Sequence, residues 1–413
     1  MAPHVHTADL PVQDSDHRVA FLLSLAAGLH AHGTSTQQIE DALNETSSRL
    51  GIIAQFFVTP TSLFAAFGPQ ISQRTYLMRV EPGDTDLGRL ARLDAVVVEV
   101  LAGRMTPAEG AAEIGRIGQS SPPYGTLATT IAFAAASAAA CRFLGGALPE
   151  IGVATVLGLL TGVLAIFSNR IRAVQRVFTP LASFLAAGLA AAGGVWIGGY
   201  STSIAMLAGL IALLPGMMLT TAMAELAANH LSAGTARLSG AFIVFIGMGV
   251  GVAFGQRVAV GIVGEAVAVA PVPLPAWTLW AALAVAALSF AVLLKALPRD
   301  IPWILVGGVV GFLGSRAGNL LLGPEFGVFL GALSIAVGSN LLARYTNRPA
   351  AVTLVPGTLL LVPGSVGFRS VTALLEQEVI AGVDTLFQML LLAISLVAGL
   401  LFANLVAPER RLG

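Results

Sequence analysis

LLPGMMLTTAMAELAANHLSAGTARLSGAFIVFIGMGVGVAF, residues 213–254, lies without a gap over LVPGSVGFRSVTALLEQEVIAGVDTLFQMLLLAISLVAGLLF, residues 361–402. An offset of 148 residues matches Pro215-Gly216 to Pro363-Gly364, Ala233-Gly234 to Ala381-Gly382, Gly251 to Gly399 and Phe254 to Phe402. Ten positions between Leu213 and Gly255 are identical, where a chain so rich in Ala, Leu and Gly would give about four by chance. Each stretch opens with Pro-Gly inside an apolar run, which interrupts a helix before it has crossed a bilayer.

Outward from this repeat, composition sets the class. Of the 413 residues 56% are hydrophobic and 11% charged, against about 25% charged in a soluble globule, so the chain reads as a polytopic membrane protein. Of the 44 Lys, Arg, Asp and Glu residues, 21 precede Ser120, which puts a soluble domain ahead of a membrane domain. Formal net charge is +0, and no charged field points to nucleic acid. The lone Cys141 in an apolar run excludes an intrachain disulfide and a thiolate cluster, and reads as packing. The first thirty residues show no secretory signal.

The expected organisation is a disordered tail 1–15, a cytoplasmic α+β domain 16–120, a first five-helix membrane repeat 121–260 and a second 270–407. In the soluble domain, Phe21, Leu22, Leu25, Ala26 and Leu29 form one helical face, and Ser35 or Thr36 caps a second helix with the stripe Ile39, Leu43, Thr46, Leu50. Ile52–Val58, Ser62–Phe67 and Arg74–Val80 read as three strands split by Thr59-Pro60-Thr61 and Gly68-Pro69-Gln70. Helical spacing returns at Leu87–Leu101, and Thr106-Pro107-Ala108-Glu109 is a capping box before a last helix. His30 and His32 are read as a solvated helix end, Glu40-Asp41 as a solvated face and Thr59–Ser62 as a plain turn, so the domain receives no catalytic role.

Ten spans are expected, at 126–144, 150–168, 177–197, 201–218, 238–256, 275–297, 301–320, 324–342, 350–367 and 383–406. Arg170, Arg172, Arg176, Lys295, Arg299, Arg344, Arg348, Arg410 and Arg411 fall on one side of such an arrangement, which makes both termini cytoplasmic. Five spans per repeat, an odd number, means that the second copy enters the membrane from the opposite face. Inverted repeats mark alternating-access transporters, whose sites lie where paired helices break. The breaks fall in spans four and nine, at Pro215-Gly216 and Pro363-Gly364, where restarting helices direct amides and positive dipole ends at the gap, an arrangement suited to a carboxylate. The alternative is a Pro kink filled by neighbours.

Beyond the first break, Thr221, Glu225 and Asn229 recur every four residues, flanked by Thr220 and His230. A carboxylate at membrane depth is costly unless it faces a cavity or a partner, so Glu225 is the choice for a proton-binding or ammonium-binding group, the alternative being a lateral helix with Glu225 in water. In the second copy Arg369 takes the place of Thr221 and Asp384 opens span ten. Arg369 either holds a substrate carboxylate, pairs with Glu376 or Asp384, or is an exposed loop cation. Asn319 and Asn340 read as interhelical hydrogen bonds. There is no Walker motif, no metal set and no nucleophile with a base, so neither an enzyme nor a cofactor is expected.

With Gly33-Thr34-Ser35, Ile39-Glu40, Leu50-Gly51, Thr59-Pro60-Thr61, Arg79-Val80 and Asp86-Leu87 ahead of the two Pro-Gly halves, the chain resembles the threonine/serine exporter family of bacteria from about His17 to Phe402. The resemblance implies a proton-motive-force-driven exporter of threonine and serine in the bacterial cytoplasmic membrane, with ten spans and a soluble N-terminal domain; relatives can carry the two halves as separate proteins. Its partners would be the small-molecule substrate, protons and the lipid bilayer, with a homo-oligomer left open. The family pattern places an acidic residue after the first Pro-Gly, for which Glu225 is the counterpart. Because some relatives are linked to dicarboxylates, export of succinate is the alternative, and a membrane-anchored sensor or scaffold is a third reading.

Overall fold

The structure, a computed structural model, describes residues 14–408 apart from 268 and 347. The expected disordered tail falls outside these residues except for its last two positions, which open the first helix, and Arg410 and Arg411 also fall outside.

The N-terminal unit contains α1 (Asp14–Ala31), α2 (Thr36–Arg49), strands β1 (Ala54–Val58), β2 (Ser62–Phe67) and β3 (Arg74–Arg79), α3 (Leu87–Leu101) and α4 (Pro107–Gln119). Local chemistry sets the helix starts. Ser35 accepts from the Gln38 amide, Asp86 from the Arg89 amide, and Thr106 with Glu109 makes both bonds of a capping box, each cap worth about 1 kcal/mol. The strands form an antiparallel meander in the order β1-β2-β3, with Leu63 opposite Val58 and Met78. Leu63, Ala65 and Phe67 alternate inward from β2 and meet Phe21, Leu25, Ile39, Leu43, Leu93, Val97 and Ile114 in one apolar core. Burial of a side chain of this size contributes about 1.5–3 kcal/mol.

Two helical halves follow. The first holds α5 (Thr126–Phe143), α6 (Leu148–Arg170), α7 (Arg172–Trp196), α8 (Thr202–Gly209), a single 3-10 turn at Ile211–Leu213, α9 (Gly216–Ala227) and α10 (Leu231–Val263). The second holds α11 (Thr278–Leu293), α12 (Ile301–Leu322), α13 (Pro324–Thr346), α14 (Ala351–Leu359), α15 (Gly364–Leu375) and α16 (Val379–Val406). Neighbours correspond: α5 packs on α6 as α11 does on α12, α7 on α10 as α13 does on α16, and α9 on α10 as α15 does on α16.

The repeated identities mark equivalent contacts. Gly251 of α10 lies against the Pro180 carbonyl of α7, and Gly399 of α16 against the Phe329 carbonyl of α13, so a methyl group at either site would strike backbone. Gly234 backs onto Leu226, and Gly382 onto the matching Leu374. Asn229 (φ 63°) and Gln377 (φ 67°) turn the chain at the two elbows in the left-handed region. Close helix approach through small residues is the packing mode of helices in lipid, where hydrophobicity does not drive one helix onto another.

Among the described residues eight helical segments are long and apolar enough to span a membrane, and the bent pair α8–α9 makes a ninth. The span expected at 275–297 is the 16-residue α11, which at 1.5 Å per residue covers only about 24 Å. The span expected at 238–256 lies inside the 33-residue α10. Window hydropathy does not see either departure, because apolar residues continue past the end of α11 and polar ones begin well inside α10.

Candidate functional site

The two Pro-Gly breaks meet. Pro215 (φ −77°, ψ 40°) and Pro363 (φ −79°, ψ 30°) have nearly the same backbone, and each stands one residue before a helix whose start no side chain caps. A Cβ on Gly216 would strike Val362 and lie 3.6 Å from the Gly364 Cα; one on Gly364 would lie 3.3 Å from the Gly216 Cα and from the Leu214 Cβ. All four residues of the two Pro-Gly pairs are buried. Two positive helix ends therefore converge backbone to backbone in the interior, an approach that side chains would block.

Thr220, one turn into α9, is 4% exposed and its Oγ1 has no hydrogen-bond partner among the described residues. A buried hydroxyl without a partner costs roughly 1–3 kcal/mol. Thr221 is half-buried.

Glu225 is 1% exposed, but it is not at the break: nine residues of α9 carry it about 13 Å from Gly216. Its Oε1 accepts from the Thr36 amide at 3.0 Å, the Thr36 hydroxyl at 2.9 Å and Arg237 Nε at 3.1 Å. Arg237 Nε is also 3.0 Å from Oε2, though its N–H is aimed at Oε1 and leaves Oε2 without a directed bond. Thr36 is the first residue of α2, where amides lack intrahelical partners and the dipole is positive. Glu225 thus closes the amino end of a helix in the N-terminal unit. The alternative of Glu225 in water is excluded, and so is a carboxylate lining the break.

Four expectations are corrected here. Asn229 does not extend the face of Thr221 and Glu225, because α9 ends at Ala227 and Asn229 is exposed in the elbow. Arg369 is exposed on α15, a helix and not a loop, and Asp384 is exposed five residues inside α16 without opening it. His30 (2% exposed) and His32 (7%) are buried, and burial lowers the pKa of both. Glu40 is half-buried, accepts from the Val58 amide at 2.8 Å and lies 3.9 Å from His230, with burial raising its pKa. The ring of His30 is 3.2 Å from the Thr59 carbonyl, and His32 lies near Asp86, Arg89 and Lys295, so both are covered by residues distant in sequence, which local spacing does not reveal. Asn340 does bridge helices, donating to Asn404 and to the Ala407 carbonyl, whereas Asn319 is exposed. Cys141 is fully buried in a small apolar cluster.

Other polar groups went unnoticed in the sequence. Glu150 accepts from the Ala147 and Ser201 amides, tying the start of α6 to the start of α8. Asp300 pairs with Arg348 and so ties the start of α12 to the approach to α14. The only local signal for the first was Leu148-Pro149-Glu150 as a helix start. Among the described residues no three metal-ligating side chains converge.

Helical halves of this length and hydropathy, each broken at a buried Pro-Gly, define a multi-pass membrane protein. A family model described as threonine/serine exporter matches residues 20–259, and a second model of the same description matches residues 279–406. The chain belongs to the threonine/serine exporter family, with both membrane halves in one polypeptide, and its domains are those of membrane transporters.

Among curated proteins it is similar to pheromone-regulated membrane protein 10 of Debaryomyces hansenii, 27% identical over 258 residues, which is 61% of this chain and 25% of the relative. The same-named protein of Saccharomyces cerevisiae is 27% identical over 257 residues, 61% of this chain and 33% of the relative. An uncharacterized protein of Schizosaccharomyces pombe is 24% identical over 254 residues, 59% and 30%. The chain thus spans between a quarter and a third of the length of these relatives. No solved structure matches.

Proposed function

We propose that this protein is a secondary exporter of threonine and serine, working by proton antiport in the bacterial cytoplasmic membrane with both termini in the cytoplasm. The observation that carries the reading is the meeting of two uncapped helix starts at Gly216 and Gly364, beside the unpartnered Thr220 hydroxyl. A substrate carboxylate would bind the converging amides and dipole ends, and Thr220 would bond the substrate hydroxyl.

Chain direction supports an inverted arrangement of ten spans in two sets of five. The far end of α5, at Arg142, bonds Thr278 at the start of α11, while the end of α11 returns to the N-terminal unit through Leu294. The elbow after α9 then lies on the N-terminal unit's side, and the elbow after α15 on the other. Arg170, Arg176, Lys295, Arg299, Arg344 and Arg348 gather on the N-terminal unit's side, in keeping with a cytoplasmic face. Two inverted halves that touch at paired breaks can rock about that contact and expose it alternately. Glu225, on the same face, is the group to which we assign the proton.

Export of a dicarboxylate such as succinate is the second reading, favoured by the pairing itself, since two positive helix ends suit two carboxylates. Flux of labelled threonine, serine and succinate in proteoliposomes, with and without a pH gradient, separates the two. Threonine flux lost in Thr220→Val supports the first, and succinate flux indifferent to that substitution supports the second. No flux of any solute would leave a sensor or scaffold.

A further inference from the structure

Two helix amino ends of the N-terminal unit rest on the membrane halves, one on each. At the first contact α2 presents the amide and hydroxyl of Thr36 to Glu225 of the first half. At the second, α3 presents the amides of Leu87 and Gly88 to the carbonyls of Leu294 (2.9 Å) and Lys295 (3.2 Å), where α11 ends in the second half. The orphan donors of one helix thus meet the orphan acceptors of another, dipole to dipole. Gly88 is there because a Cβ would lie 2.6 Å from the Lys295 carbonyl oxygen, and Lys295 Nζ stands 4.0 Å from Asp86.

We propose that the N-terminal unit is a two-footed clamp that fixes the α9–α10 elbow of one half to the α11–α12 elbow of the other, and that its Glu225 foot lets go when the halves move. The proposal rests on the reading of the chain as a transporter. The feet differ in kind. The α3 foot is held by backbone hydrogen bonds, with the Lys295–Asp86 pair beside them. At the α2 foot, one carboxylate oxygen is shared between Thr36 of the unit and Arg237 of its own half, so the unit can leave while Arg237 keeps the charge paired.

Glu225 also sits on the rigid helix that begins at Gly216, so a pull on it is delivered to the crossing of the two breaks. The other half has no such handle: the residue matching Glu225 is Ala373, and the elbow there carries the exposed Glu376 and Glu378. The clamp therefore restrains one face of the molecule only.

Hydrogen exchange on the full chain in lipid nanodiscs, read beside threonine flux in proteoliposomes, tests this. Thr36→Val should raise exchange in the first turn of α2 about tenfold, the loss of one hydrogen bond to a charged acceptor, and speed flux severalfold, while Thr36→Ser should behave as wild type. Gly88→Leu should raise exchange at both feet. Unchanged exchange in Thr36→Val overturns the clamp, and raised exchange with wild-type flux overturns its gating role. A wild type that carries none of threonine, serine and succinate overturns the transporter reading and the gating with it, while exchange still reports whether the feet hold.

Discussion

Pro215 and Pro363 share their backbone angles and each precedes a twelve-residue helix, yet the spans they interrupt differ. In the first half α8 meets the segment Ile211–Ala227, the 3-10 turn together with α9, at 47°. In the second, Ala351–Leu375 runs as one apolar stretch, with Pro356 inside α14. The far end of α9 is pinned through Glu225 by the N-terminal unit, whereas Arg369 in the middle of α15 and the Glu376–Glu378 turn after it are exposed. The halves have kept the geometry of the break and diverged in what holds it. Under the proposed function the crossing of the breaks is the site, and the asymmetric ends set the side from which it is worked.

The comparison breaks most severely at its shared point. Gly216→Val and Gly364→Val each push a side chain into the opposing helix start, and each should reduce flux at least a hundredfold in proteoliposomes. A half that tolerated the change would show that the breaks are not equivalent.

The ends should respond unequally. Glu225→Ala leaves Arg237 and the α2 amino end facing an empty site, and removing one partner of a buried pair costs about 3–5 kcal/mol. Arg369→Ala at an exposed position should stay within about 0.5 kcal/mol. Thermal unfolding of the detergent-solubilised protein measures both.

At the elbows the symmetry is sharper. Asn229 and Gln377 hold positive φ, at a cost of roughly 1–2 kcal/mol for ordinary residues and less for Asn. Gln377→Gly should therefore raise stability by about 1 kcal/mol and Asn229→Gly by a smaller amount in the same assay.

The smallest effect is a pH dependence of the N-terminal unit. Burial lowers the pKa of His30, with Arg237 adding to it, and that of His32, with Arg89 and Lys295 adding and Asp86 opposing. A histidine whose folded pKa is lowered binds protons more readily in the unfolded chain, so stability is full above the ordinary value near 6.5 and falls as pH drops below it. Exchange protection in α1 should weaken from pH 7 to pH 5.5, and His30→Gln and His32→Gln should each remove part of that dependence.

The N-terminal elements were legible because caps, turns and alternation are local: Ser35, Thr106-Glu109 and the β2 pattern Leu63, Ala65, Phe67 announce themselves. The breaks were legible because the repeat paired two Pro-Gly steps; proline alone would not have marked them, since Pro180 and Pro356 lie inside helices. The surroundings of Glu225 were not, since Thr36 lies 189 residues earlier and no periodicity connects a helix start in one unit to a carboxylate in another. Burial of His30 and His32 is hidden likewise, because their surroundings, Thr59 for the first and Asp86 with Lys295 for the second, are not sequence neighbours. Aligning the halves sets Arg369 beside Thr221 in sequence, but in the inverted arrangement proposed above matched positions go to opposite ends.

The most direct test is gradient-driven flux of labelled threonine and serine into proteoliposomes, comparing wild type with Thr220→Val. Flux should need the pH gradient and fall at least tenfold in the variant with the protein still folded. Flux of either amino acid at the wild-type rate in Thr220→Val would contradict a substrate site at the crossing of the two breaks.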